Sequence, residues 1–161
     1  MKDIIIGSDP WAWNLHRQTC DLCRSLGHRV EEVNAPGSER TAYHEVARRV
    51  ALKVAATPGS FGIVLCGSGM GVSMVANVFP GISCALCSDV FAAAQSRVLN
   101  NANVLAMGEL MTTAHVAGEI VKAFLGTEFL SGVPPELGEM IKTWHHEVAE
   151  LKVRYLVNDL Q

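Results

Sequence analysis

The residues best suited to chemistry stand in one run, Cys66-Gly67-Ser68-Gly69-Met70-Gly71. Three glycines at alternate positions let backbone N–H groups approach a ligand closely. A helical pattern opens directly after the run, and the first turn of a helix favours negative charge. A cysteine in that field is favoured as thiolate, the form that acts as base or nucleophile. The run therefore combines an anion cradle with a sulfur able to accept a proton. A tight strand-to-helix turn made for packing alone would look the same, and spacing does not separate the two. The run is not G-x-G-x-x-G, and no Gly-Lys-Ser/Thr follows, so the dinucleotide and nucleoside-triphosphate loops are not matched.

The elements that must position this run are legible around it. Phe61 to Leu65 is a wholly apolar strand leading into it. Ile4-Ile5-Ile6 is a β-branched strand ending at Gly7-Ser8-Asp9. Residues 12–26 carry apolar side chains at helical spacing, with Gly27 as a stop. His28 to Val33 reads as a second strand, residues 34–39 as a loop, and Thr41 to Ala56 as a helix closed by Pro58-Gly59. Ile82 to Cys87 is a further strand, and Ser88-Asp89 offers caps for the helix after it. Asn103 to Ala106 and Thr112 to Leu125 complete the alternation. Strand–helix alternation of this kind predicts an α/β fold, a three-layer doubly wound parallel sheet. Ligands bind such sheets at the carboxyl ends of the strands. Ser8-Asp9, the Cys66 run and Ser88-Asp89 all lie there.

Two glycines within residues 126–133, then Pro134-Pro135, interrupt the pattern. Residues 1–130 are thus expected to form the main domain and residues 131–161 a helical tail. Leu137, Ile141, Trp144, Val148, Leu151 and Tyr155 recur in the tail at three- and four-residue steps. That stripe is expected to pack on a neighbouring subunit, and folding back on its own chain is the alternative.

Composition narrows the class. The 161 residues are 49% hydrophobic and 18% charged, enough for a substantial core. A net charge of −3 gives no basic footprint for nucleic acid. No apolar run approaches the ~20 residues that span a bilayer, and the first residues lack the features of a signal peptide. Five cysteines, an odd count, fit reduced thiols and a cytoplasmic location. The pairs Cys20/Cys23 and Cys84/Cys87 lie about sixty residues apart, against ~15–20 for a four-thiolate zinc site. They read as small buried hydrophobes.

Several separated segments occur in one order: Gly7-Ser8-Asp9, Thr41-Ala42-Tyr43, the Cys66 run, Ala76-Asn77, Pro80-Gly81-Ile82, Ala85-Leu86-Cys87-Ser88-Asp89 and Asn100-Asn101-Ala102-Asn103-Val104-Leu105. Together, over residues 1 to about 130, they resemble ribose-5-phosphate isomerase B and the galactose-6-phosphate isomerase subunits. The resemblance implies a Rossmann-like fold and aldose–ketose isomerisation of a small phosphorylated sugar through a cis-enediolate. It implies no metal or organic cofactor. It also implies a homodimer or homotetramer whose active sites lie between subunits. Cys66 falls at the family's base position. N–H groups around Gly67, Gly69 and Gly71 would hold the developing oxyanion. Ser68 stands where threonine is usual and would relay a proton between the two oxygens. Asp9 would orient sugar hydroxyls, and Tyr43 and Asn100 match substrate-contact positions. On their residue types alone, Ser68, Asp9 and Asn100 would also serve as caps, and Tyr43 as a packing residue.

The chain departs from the family pattern at identifiable places. Pro10 replaces a histidine, with Trp11 and Trp13 close by, and Leu99 replaces the histidine that opens the sugar ring. The family's Tyr-Pro is Tyr43-His44, and Val133-Pro134-Pro135-Glu136 stands where phosphate-binding arginines are expected. Arg40 matches an arginine of the cysteine-bearing galactose-type subunit and is a candidate phosphate ligand, and His44 a substitute acid/base. An open-chain substrate such as a tetrulose phosphate would need no ring opening. The alternatives are a ribose-5-phosphate isomerase using His44, His145 or His146, and a non-catalytic sugar-phosphate-binding subunit.

Overall fold

The computed structural model describes residues 1–35, 37 and 40–154. Its strands are β1 (Asp3–Ser8), β2 (Arg29–Glu32), β3 (Phe61–Cys66), β4 (Cys84–Leu86) and β5 (Val104–Gly108). They form one parallel sheet in the order β2-β1-β3-β5-β4. The helices are α1 (Trp13–Ser25), α2 (Tyr43–Ala56), α3 (Met70–Ala76), α4 (Val90–Asn100), α5 (Ala114–Gly126) and α6 (Pro135–Val153), with a short 3-10 turn at Pro10–Ala12.

The strands read as unbroken apolar runs because both faces of the sheet are covered. Ile4, Ile6, Ile63, Leu65, Leu105 and Met107 face a layer made by α1, α4 and α5, where Ile120 and Phe124 are buried. Ile5, Val64, Cys66, Val104 and Ala106 face the other layer, against Val50 of α2 and Val72 of α3. This is the predicted three-layer α/β arrangement. Capping follows the sequence too. The Asp89 carboxylate accepts from Ala92 N–H at 2.7 Å and starts α4, and Gly27 adopts φ +80° just beyond α1.

β5 runs on to Gly108, beyond the Ala106 of the sequence reading, whereas β2 and β4 are shorter than read, both for the same reason. β4 covers Cys84–Leu86, not Ile82 to Cys87. The Asn77 side chain accepts from Cys84 N–H at 2.9 Å and donates to Cys84 O at 2.8 Å, taking the place of a neighbouring strand. β2 stops at Glu32, and the Asn34 amide does the same for Ser8, at 3.2 and 2.6 Å. The two Cys-x-x-Cys pairs do not meet in one site. Cys84 packs with the α2/α3 cluster, whereas Cys87, Cys20 and Cys23 belong to the opposite one.

α6 folds back along its own chain beside the β4 edge. Ile141 is buried, and Lys152 Nζ donates to Ile82 O. Yet Leu137, Met140, Trp144, Val148 and Leu151 remain exposed, so the chain leaves much of this stripe uncovered. Tyr155, also assigned to the stripe, lies outside the described residues. Among the described residues no helix is long and apolar enough to cross a membrane.

Ile63 stands in the central strand and is fully buried. Ile63→Ala should lower unfolding free energy by about 2–5 kcal/mol. The expected reading is a lower urea midpoint at unchanged slope.

Candidate active site

The sheet delivers the Cys66 run to the middle of its carboxyl edge. β3 lies between β1 and β5, with Cys66 in register with Gly108 and Leu65 with Ser8. Main-chain bonds continue beyond the strand ends. Asp9 N–H donates to Leu65 O (3.1 Å), Glu109 N–H to Cys66 O (3.1 Å) and Leu110 N–H to Gly67 O (3.0 Å). The run's first carbonyls are therefore tied to the neighbouring strand ends.

Inside the run, Gly69 adopts φ +78°, a conformation that favours glycine, and caps α3. Its N–H donates to Cys66 Sγ at 3.1 Å, aiming the sulfur back over the turn. Ser68 Oγ accepts from Met70 N–H at 3.3 Å. Cys66 is buried and Ser68 half-buried, so the hydroxyl is the more open of the two. Asp9 is buried beside them, and its carboxylate accepts from Trp11 N–H at 2.9 Å. Burial pushes the Asp9 carboxyl above its usual range, and the Trp11 bond opposes this. Asp9 thus keeps a proton more readily than a free carboxylate would.

Tyr43 joins the group from the start of α2. A Cβ on Gly71 would sit 2.8 Å from its ring, so that glycine is what lets the phenol lie against the loop. His44 packs edge-on to Tyr43 with centroids 5.5 Å apart, and Arg40 is exposed on the approach to α2. One chain thus gathers Cys66, Gly67, Ser68, Gly69, Gly71, Asp9 and Tyr43, with His44 at their margin.

Asn100 is not gathered with them. It ends α4, which runs from the carboxyl end of β4 back toward the start of β5. Asn100 therefore lies at the opposite edge of the sheet. With Leu99 it lines a cavity of about 690 Å³ beneath α6, shared with Leu137, Trp144, His145 and Lys152.

Gly108 and Leu110 were not singled out in the sequence, whereas Trp11 was. A Cβ on Gly108 would fall 2.4–2.7 Å from the Ser68 backbone, so β5 must end in glycine for the loop to lie where it does. The signal available was a glycine closing the strand next to β3. Leu110 and Trp11 flank Gly67, 3.5 and 3.6 Å from where its Cβ would be. They form apolar walls to the cradle.

This geometry has relatives. Residues 4–141 match the model of the Ribose/Galactose Isomerase family. The chain belongs to that family. It is 37% identical over 132 residues to ribose-5-phosphate isomerase B of Escherichia coli, covering 82% of this chain and 89% of that protein. It is 34% identical over 148 residues to D-erythrulose-4-phosphate isomerase of Pectobacterium atrosepticum, covering 91% and 97%. The structure of Clostridium thermocellum ribose-5-phosphate isomerase B superposes with a TM-score of 0.86 at 34% identity, covering 95% and 99%. The chain is accordingly an isomerase of this sugar class, on a Rossmann-like sheet.

The Ser68–Gly108 contact generates a prediction. Gly108→Ala should displace the loop without unfolding the sheet, and a displacement near 1 Å costs about 10²-fold in rate. Isomerase assays paired with circular dichroism would check it. Near-normal turnover would mean that the loop tolerates the shift.

Proposed function

We propose that this isomerase interconverts a short-chain aldose phosphate and its ketose, a four-carbon pair being favoured, with Cys66 as the base. The observation that carries the chemistry is the Cys66 sulfur held under Gly69 N–H within a glycine turn, beside a buried Asp9. The Cys66 thiolate takes the proton from the carbon next to the carbonyl. Negative charge gathers on the carbonyl oxygen and is met by N–H groups of the run. The Ser68 hydroxyl passes a proton between the two oxygens of the cis-enediolate. Cys66 then returns its proton to the neighbouring carbon, so atoms and charge balance with no external oxidant. Asp9 and Tyr43 orient the hydroxyl chain, and Arg40 and His44 stand on the side from which a phosphate would be met.

The substrate proposal rests on Leu99. A leucine neither donates nor accepts a proton, so it gives no help to a ring that must open. A four-carbon ketose 4-phosphate cannot close the usual phosphorylated ring. The erythrulose-4-phosphate isomerase named above supports the same choice, since its match extends over 91% of the chain. One observation favours a second reading: His145 lines the same cavity as Leu99 and Asn100 and could open a pentose ring there. General acid–base help is worth ~10²–10⁴ in rate. In a panel of tetrose, pentose and hexose phosphates, erythrulose 4-phosphate should therefore exceed ribose 5-phosphate by about 10²-fold or more in kcat/KM. Ribose 5-phosphate as best substrate would overturn the proposal. A His145→Ala variant losing activity on ribose 5-phosphate alone would then establish the second reading.

We further propose that the working unit is at least a homodimer, in which the tail face of one copy carries Asn100 to the loop of the other. Support comes from the placement of Asn100 far from Cys66 in one chain and from the exposed apolar stripe of α6. Cys66→Ala and Asn100→Ala should each be nearly inactive yet folded. Co-expressed with different tags, they should recover roughly one wild-type site in four, as two-fold pairing requires. Purified mixed dimers with no recovered activity would refute a shared site.

A further inference from the structure

Away from the loop, α1 and the end of β2 enclose a chain of polar side chains that the isomerisation does not use. His16 is fully buried on α1. Its Nδ1 lies 2.8 Å from Ser8 Oγ and its Nε2 2.9 Å from Glu32 Oε2. Arg24 Nη2 donates to the other Glu32 oxygen at 2.6 Å. A carboxylate only accepts, so Nε2 carries the ring proton and Nδ1 accepts from the Ser8 hydroxyl. One helical turn after His16 stands Cys20, buried on the same face of α1. The Cys20 sulfur, a His16 ring nitrogen and a Glu32 carboxylate oxygen all lie within 4.8 Å of one another.

We propose that His16, Cys20 and Glu32 form a binding site for one divalent cation of the zinc type. Ligands four residues apart on a helix, completed by a carboxylate from elsewhere, are a common arrangement for zinc. Zinc bonds of about 2.0–2.3 Å put tetrahedral ligand atoms roughly 3.3–3.6 Å apart. The nitrogen–sulfur–oxygen set selects zinc or cobalt over magnesium or calcium. One thiolate and one carboxylate balance the dication, and Arg24, which stays on Glu32, has the Asp21 carboxylate 3.9 Å away as its own counter-charge.

Both polar ligands already have the outer partners that orient metal ligands. On binding, Nε2 gives up its hydrogen and Nδ1 takes one, donating to Ser8 Oγ, so the imidazole stays neutral. Glu32 ligates through Oε2 and keeps Arg24 on Oε1. The proton released comes from Cys20. Burial first, and then the Glu32 charge, push that thiol up to about 12, so the cation itself must displace its proton. The Glu32 side chain is 25% exposed, which leaves its side for entry and for a water as fourth ligand. A bound cation would clamp α1 to β2 beside Ser8.

Titration of the full chain with Co²⁺ tests this, in a Cys66→Ala background so that the loop sulfur cannot be the ligand. One equivalent should give tetrahedral d–d bands and a thiolate-to-cobalt charge-transfer band, all removed by Zn²⁺. Zn²⁺ should also raise the thermal midpoint. Adding Cys20→Ser should abolish the charge-transfer band. If that variant does not fold, Glu32→Gln should still weaken binding at least tenfold. Absence of the band in the Cys66→Ala protein overturns the site, as does its survival in Cys66→Ala/Cys20→Ser.

Discussion

The close contact between the Ser68 backbone and Gly108 governs the architecture around the loop. A parallel sheet enclosed by helices exposes backbone polarity chiefly at its strand ends. Here the central strand β3 ends between β1 and β5, and the carbonyls of Leu65, Cys66 and Gly67 accept N–H groups from those neighbours. With these carbonyls tied to the sheet side, N–H groups of the run serve its own side chains, Gly69 N–H meeting Cys66 Sγ and Met70 N–H meeting Ser68 Oγ. This arrangement requires β5 to approach without a side chain, which Gly108 supplies, and the loop to turn through φ > 0, which Gly69 supplies.

The connectivity that builds this cradle also removes Asn100 from it. Each helix of a parallel βα unit returns to the opposite edge before the next strand begins. Leu99 and Asn100, at the end of α4, must therefore lie a full strand length from Cys66 in the same chain. α6 settles at that far edge, where it shields β4 while leaving a cavity and an apolar stripe. Covering an edge strand with a helix limits unwanted strand pairing. The incomplete cover is a second feature, and it is the one that a shared site would use.

Most of the fold was legible because burial on both sheet faces writes each strand as an apolar run, and helices as 3.6-residue stripes between them. Ile4-Ile5-Ile6, Phe61 to Leu65 and Val104 to Ala106 needed no tertiary information. The boundaries of β2 and β4 did. Asn34 and Asn77 substitute side-chain amides for backbone ladder bonds, and an asparagine in a turn gives no local sign of that. Gly108 was hidden for a similar reason: its role depends on a neighbour forty residues earlier in sequence. The loop itself was legible since glycine spacing, a strand before it and a helix after it are all local. The approach of Glu32 to His16 depends on how β2 pairs beside β1, which no single segment states.

Among the apolar surfaces that the described residues leave exposed, two are related by their positions. Trp11 and Leu110, at the loop, are 72% and 74% exposed, and the α6 stripe lies toward the other sheet edge. Apolar surface gains about 25 cal/mol for each Å² removed from water, so each patch favours a cover. In a two-fold dimer the same patch pair occurs twice, which makes any complementarity count double. Pairing the loop rim of one copy with the tail face of the other would cover both patches. It would also carry Asn100 toward Cys66 and shut water from the cradle. Water exclusion strengthens the N–H groups that meet the enediolate oxygen, because they then act in a low dielectric. In that arrangement assembly and catalysis are one requirement on the sequence. It would give Trp11 and Leu110 a partner surface on the open rim of the loop.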